Sequence, residues 1–144
     1  MKILLCTLNA RYIHTAFGLR YLFANLGNLQ SDAKICEFTI SQNPSEIAQA
    51  ILAHPAAIVG FGVYIWNTAQ TLEVIRILKQ QRPQLKIVLG GPEVSFECEK
   101  QEIVALADHT IRGEADILFR QTCERILEHN PQSKVARQRL IFFL

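Results

Sequence analysis

Two rhythms of apolar and polar positions alternate along this chain. Short, nearly continuous apolar runs recur at Lys2 to Leu8, Lys34 to Thr39, Ala57 to Val63, Lys86 to Leu89 and His109 to Arg112. Between them, apolar residues return every third or fourth position. Runs of the first kind predict strands buried on both faces, and spacing of the second kind predicts amphipathic helices. Their regular succession predicts a parallel sheet with helices on both sides.

The helices carry their own start and stop signals. From Thr15 to Gly27, Leu19, Leu22, Phe23 and Leu26 fall on one stripe, and Gly27 suits the terminating turn. Asn43-Pro44-Ser45-Glu46 opens a second helix, with Asn43 as cap, Pro44 at the first helical position and Glu46 able to close a capping box. Ile47, Ile51 and Leu52 form its buried stripe, and it ends before Pro55. Asn67 and Gln70 repeat the cap spacing ahead of a helix that carries Leu72, Ile75 and Leu78 and stops at Pro83. A weaker helix is expected over Glu97 to Ala107. The last opens at Gly113-Glu114, with Ile117, Leu118, Cys123, Ile126 and Leu127 as candidate core positions.

Five such units with short connections predict an α/β, flavodoxin-like (Rossmann-like) doubly wound parallel sheet of order 2-1-3-4-5. Right-handed crossovers then put the second and third strands on opposite sides of the first. The topological switch falls between strands one and three, and its crevice is lined by the loops after strands one, three and four. One domain is expected over residues 1–129. Residues 130–144 form a polar tail ending in the apolar run Leu140 to Leu144, read either as an edge strand or as the start of a further region. Uncovered, that run invites self-association.

Composition narrows the class without naming a function. A chain of 144 residues, 49% apolar and 19% charged, can bury a real core. A net charge of +2 without a basic block gives no reason to expect nucleic acid. The longest apolar stretch, Ala56 to Trp66, is too short to span a bilayer, and the first residues are too short an apolar run for a signal peptide. The expected location is cytoplasmic. Cys6, Cys36, Cys98 and Cys123 are too widely spaced for a metal-binding CxxC set and read as reduced thiols, with Cys6 and Cys36 in the core.

Candidate chemistry gathers on the three loops of the crevice. After strand one come Asn9, Arg11, Tyr12, His14 and Thr15, leading into a helix whose N-terminus favours an anionic or amide-rich group. The same residues also fit a simple helix cap and a solvated loop. After strand three, Tyr64 and Trp66 fall on one side and suit a flat ring, or the top of the core; Asn67 reads as a cap. After strand four, Gly90-Gly91-Pro92-Glu93 places two glycines where backbone can approach a ligand. On that reading, Gly91→Val weakens ligand binding and spares the fold. Arg112-Gly113-Glu114 closes the short fifth strand at the crevice rim. There is no GxSxG elbow, HExxH motif, P-loop or GxGxxG fingerprint. A phosphoacceptor receiver needs an aspartate at the end of strand three, where Tyr64 stands. No catalytic residue and no metal ligand is assigned.

Four blocks in order, Leu8 to Thr15, Val59 to Asn67, Val88 to Ser95 and Ile111 to Glu114, together resemble the N-terminal cobalamin-binding domain of cobalamin-dependent radical SAM proteins. The resemblance implies a domain that holds cobalamin over the carboxyl ends of its strands. It implies as partner a radical SAM catalytic domain or subunit, which carries an iron–sulfur cluster on a CxxxCxxC motif. The four cysteines of this chain cannot supply that motif, so no iron–sulfur cluster and no independent catalysis are expected of it. The corrinoid motif DxHxxG is not matched either: Tyr12 stands in place of its aspartate, and Gly18 lies one residue too far from His14. The expectation is therefore a corrinoid-binding module without a protein histidine on cobalt. The alternatives are a docking domain that binds no cobalamin and a small flavin or nucleotide binder.

Overall fold

The computed structural model describes residues 2–10, 17–64, 66–91, 102–112 and 116–129. Among these residues, five strands and five helices alternate. They are β1 (Ile3–Asn9), α1 (Phe17–Ala24), β2 (Ala33–Thr39), α2 (Pro44–Leu52), β3 (Ile58–Gly62), α3 (Thr68–Gln81), β4 (Lys86–Gly90), α4 (Glu102–Leu106), β5 (His109–Thr110) and α5 (Asp116–Glu128). All strand pairs are parallel and the order is β2-β1-β3-β4-β5, the flavodoxin-like arrangement expected from the pattern. A 3-10 segment, Gly27–Asp32, joins α1 to β2.

Strand alternation divides the core into two layers. Leu4, Cys6, Leu8, Val59, Phe61, Val63, Ile87 and Leu89 face α2, α3 and α4, whose Ile47, Ile51, Val74, Ile75, Leu78 and Ile103 complete the layer. Ile3, Leu5, Ile58 and Val88 face the other way, onto Leu19 and Leu26 and onto Phe119 and Cys123 of α5. β1 is buried along its whole length, as a central strand covered on both faces should be.

Local signals act as read at α2. The Asn43 side chain accepts a hydrogen bond from the Ser45 N–H, and Pro44 takes the first turn. They act differently in three places. Asn67 precedes α3, but its side chain makes no cap bond, and Gln70 donates to the Ile40 carbonyl. Ile117 and Leu118, expected in the core, are 56% and 47% exposed. The phase of α5 is set by Phe119 and Cys123, which bury against Gly60 and its neighbours and turn the preceding residues outward. Cys36, on edge strand β2, is only half-buried, whereas Cys6 is fully buried.

The chain reverses direction across the sheet between β1 and β3, so the crevice opens at the carboxyl ends of β1, β3 and β4. No helix among the described residues is long and apolar enough to cross a membrane. The tail, residues 130–144, and the first part of the weak helix expected before α4 lie outside the described residues.

Candidate functional site

The strand ends form a level row. Glu37 pairs with Thr7, Thr7 with Gly62, and Gly62 with Gly90. Alternation turns all four toward the α1/α5 side, where Ile3, Leu5, Ile58 and Val88 lie deeper in the sheet. At this level the three central strands carry Thr, Gly and Gly on this face, and β1 runs on to Asn9. Bulk is missing where the crevice begins.

The glycines of this region answer to different neighbours. A Cβ on Gly60 would stand 3.0 Å from the Phe119 ring, so this glycine serves the packing of α5. A Cβ on Gly62 would stand 3.3 Å from the Tyr64 ring and 3.7 Å from the Thr7 hydroxyl. Around Gly90 no described atom lies within 4 Å of where a Cβ would sit. Gly91 has φ +111°, and a Cβ there would fall 2.4 Å from the Val63 carbonyl oxygen. Gly91 is therefore required by the close approach of β3 backbone. The expectation that valine would spare the fold is corrected: the collision is with main chain, which cannot swing aside.

Tyr64 and Trp66 stack with ring centroids 4.6 Å apart and planes 6° from parallel. Trp66 is 42% exposed, offering a flat apolar surface beside the crevice. The Tyr64 hydroxyl reaches α1, 3.4 Å from where a Gly18 side chain would begin. Below it the Thr7 hydroxyl is buried with no hydrogen-bond partner among the described residues. An orphan of this kind costs about 1–3 kcal/mol unless a water or ligand satisfies it.

Asn67 holds the region together. Its Oδ1 accepts from the Tyr64 N–H at 2.8 Å, and its Nδ2 donates to the carbonyls of Leu8 at 3.0 Å and Gly62 at 3.1 Å. One fully buried side chain thereby ties the end of β1, the end of β3 and the aromatic loop. Its main-chain carbonyl still begins α3, accepting from the Thr71 N–H. Thr68 adds a hydrogen bond from its hydroxyl to the Tyr64 carbonyl.

Other expected site residues are placed less centrally. Asn9 is buried, with its Nδ2 3.5 Å from a Glu37 carboxylate oxygen, and Glu37 in turn faces Arg20 at 3.6 Å. Asn9 thus belongs to the β2 side of the crevice. Gly90, Gly91, Tyr64 and Trp66 gather at the ends of β3 and β4. Arg112 is exposed just past β5, after a buried Ile111 whose N–H donates to the Leu89 carbonyl. Arg11, Tyr12, His14, Thr15, Pro92, Gly113 and Glu114 lie outside the described residues. Among the described residues no cluster of three or more His, Cys, Asp or Glu could hold a metal ion.

Thr7 and Gly62 were not singled out as site residues, and the bridging role of Asn67 was not anticipated. Parity held a signal for two of them: Thr7 is a hydroxyl on a wholly buried strand, and Gly60 and Gly62 repeat at the spacing of one sheet face.

A family model described as the B12 binding domain matches residues 3–122. The chain belongs to this family. The B12-binding domain described here is also similar to a crystal structure of a cobalamin-binding protein from Desulfitobacterium hafniense DCB-2, with a TM-score of 0.62 and 20% identity. That match covers 87% of this chain and 58% of the other, and at such identity it speaks for the fold. A 2-(S-pantetheinyl)-carbapenam-3-carboxylate methyltransferase from Streptantibioticus cattleyicolor is 26% identical over 84 residues. The match covers 54% of this chain and 12% of the methyltransferase, so this B12-binding domain corresponds to a small part of that protein. The residues present suit a large group with a flat face and polar edges. Among the described residues, Gly90 leaves space open, the Thr7 hydroxyl lacks a partner, and Trp66 exposes a ring.

Proposed function

We propose that this B12-binding domain holds a corrinoid at the carboxyl ends of β1, β3 and β4. The observation that carries the reading is the row Thr7–Gly62–Gly90, where large side chains are missing on one face only. Gly90 leaves room for the ligand, the Trp66 ring offers it a flat contact, and the Thr7 hydroxyl is available to a polar edge. Asn67 and Gly91 act indirectly, by fixing the loops that present these groups. Arg11, Tyr12, His14 and Thr15 after β1, Pro92 after Gly91, and Arg112, Gly113 and Glu114 after β5 complete the proposed contacts. When bound, the corrinoid supplies the reactivity of cobalt; this chain supplies binding and orientation.

The finer reading is that the domain serves a radical SAM catalytic domain or subunit that transfers methyl groups. The likeness to part of a methyltransferase supports methyl transfer as the wider context. A reading frame with CxxxCxxC directly downstream in the DNA would support the radical SAM partner, and a frame without it would count against one. The mismatch to DxHxxG supports a cobalt without a protein histidine.

Titration of the purified protein with hydroxocobalamin tests the central claim. Comigration of cobalamin with protein on gel filtration, with saturable absorbance changes, is the expected result. Protein that elutes colourless after saturation leaves a docking domain in its place, and saturable flavin binding in the same assay would favour the flavin reading. Electron paramagnetic resonance of the cob(II)alamin form tests the ligation. Nitrogen superhyperfine splitting that vanishes in His14→Ala would put a protein histidine on cobalt and overturn that part.

A further inference from the structure

Two thiols stand side by side in the sheet, on the opposite face from the row just described. β1 and β2 pair in parallel register with Cys6 opposite Cys36. Register partners on parallel strands share a face, and both cysteines belong to the layer under α2 and α3. Neighbouring strands lie about 4.8 Å apart. That falls within the roughly 4.4–6.8 Å of Cα separation that a disulfide spans. Their surroundings differ: Cys6 is fully buried, while Cys36 is half-buried on β2, which is an edge strand among the described residues. Cys123 lies on the opposite side of the sheet, buried against α1 and β1 residues.

We propose that Cys6 and Cys36 are an oxidisable cross-strand dithiol, which a low-molecular-weight disulfide converts to an intramolecular Cys6–Cys36 bond. The half-buried partner reacts first. The Cys36 thiolate attacks one sulfur of the external disulfide, whose S–S bond breaks. One small thiolate leaves with the electron pair and takes up a proton. The Cys6 thiol, losing its proton to solvent, then attacks the Cys36 sulfur of the mixed disulfide. The Cys6–Cys36 bond forms as the second small thiolate departs and is protonated. Two protein thiols lose two electrons, and the external disulfide gains them as two thiols. Burial holds both protein thiols above their ordinary range, with the neighbouring Cys36 adding to the effect at Cys6, so exchange is slow and favoured by mildly alkaline buffer. The product staples edge strand β2 to β1, one residue below Thr7, and it does not depend on any ligand being bound.

The test is to incubate the native full chain with excess oxidised glutathione at mildly alkaline pH, quench with acid, and map thiols by mass spectrometry without reduction. The expected product is lighter by about 2 Da, the two hydrogens lost on bond formation. It yields one cross-linked peptide pair joining Cys6 to Cys36, and the same pair forms in a Cys98→Ser, Cys123→Ser double variant. In Cys6→Ser, or in Cys6→Ala if the serine is not tolerated in the core, glutathione stays on Cys36. The proposal is overturned if the wild type stops at the Cys36 adduct, if Cys6 or Cys36 pairs with another cysteine, or if the native thiols do not react while the unfolded chain does.

Discussion

At the carboxyl end of the sheet, the same three strands present two unlike surfaces. Toward α2 and α3 they end in Leu8, Val63 and Leu89, all buried and packed. Toward α1 and α5, one residue away on each strand, they carry Thr7, Gly62 and Gly90 in one level row. The first surface carries stability to the rim. Among the described residues, the second gives up that packing for open space at Gly90 and a Thr7 hydroxyl without a partner. A period of two thus lets one strand support the fold and open a site within a step of 3.3 Å or so.

Substitutions on the packed side should produce the largest losses. Leu78→Ala removes a fully buried side chain from the α3 contact with the sheet. It is expected to destabilise by about 2–5 kcal/mol in chemical denaturation. Corrinoid affinity per folded molecule should barely change. A loss of affinity at full folding would mean that the two surfaces are coupled through the sheet.

Asn67 lies between the two surfaces and should affect both. Asn67→Ala leaves two carbonyls and one N–H without their partner, which is expected to cost about 2–3 kcal/mol. Asn67→Asp keeps the volume but sets a carboxylate oxygen against the Leu8 and Gly62 carbonyls, so it should not rescue. Stability by denaturation and affinity by cobalamin titration should fall together in both variants.

Gly90 and Gly91 are adjacent and should behave oppositely. Gly91→Ala forces a Cβ onto the Val63 carbonyl at positive φ and should destabilise by about 1–3 kcal/mol. Gly90→Ala should change stability by no more than about 0.5 kcal/mol, since no described atom lies within 4 Å of its side chain. Gly90→Val should weaken cobalamin binding about tenfold, or ~1.4 kcal/mol, while the protein stays folded. Unchanged affinity in folded Gly90→Val would remove this position from the site.

The smallest effect lies at the other end of the sheet. Burial raises the Asp108 pKa, but the Lys79 ammonium, the Ile87 N–H at 2.8 Å and Lys86 outweigh it and hold the carboxyl below its ordinary value. A lowered folded pKa adds stability that is present above the unfolded value, about 3.9, and is lost as pH falls through the folded one. Asp108→Asn should therefore be less stable than wild type near neutral pH, and the difference should shrink below about pH 4. Melting curves across that range check it, and cobalamin affinity should not follow.

The succession of five strands and the order 2-1-3-4-5 were legible because they rest on local periodicity and a general rule of handedness. So was the switch point between β1 and β3, because it follows from that strand order. The cap at Asn43 was legible for the same reason: its bond to Ser45 closes within three residues. Tertiary structure decided what depends on distant partners. Asn67 looks like a cap until β1 and β3 bring the Leu8 and Gly62 carbonyls to its side chain. Ile117 and Leu118 look like core until Phe119 docks over Gly60 and sets the helix phase. Gly90 and Gly91 look equivalent in the chain, but only Gly91 meets the Val63 backbone. Periodicity gives each residue a face; what stands opposite that face is chosen by chain segments far away in sequence.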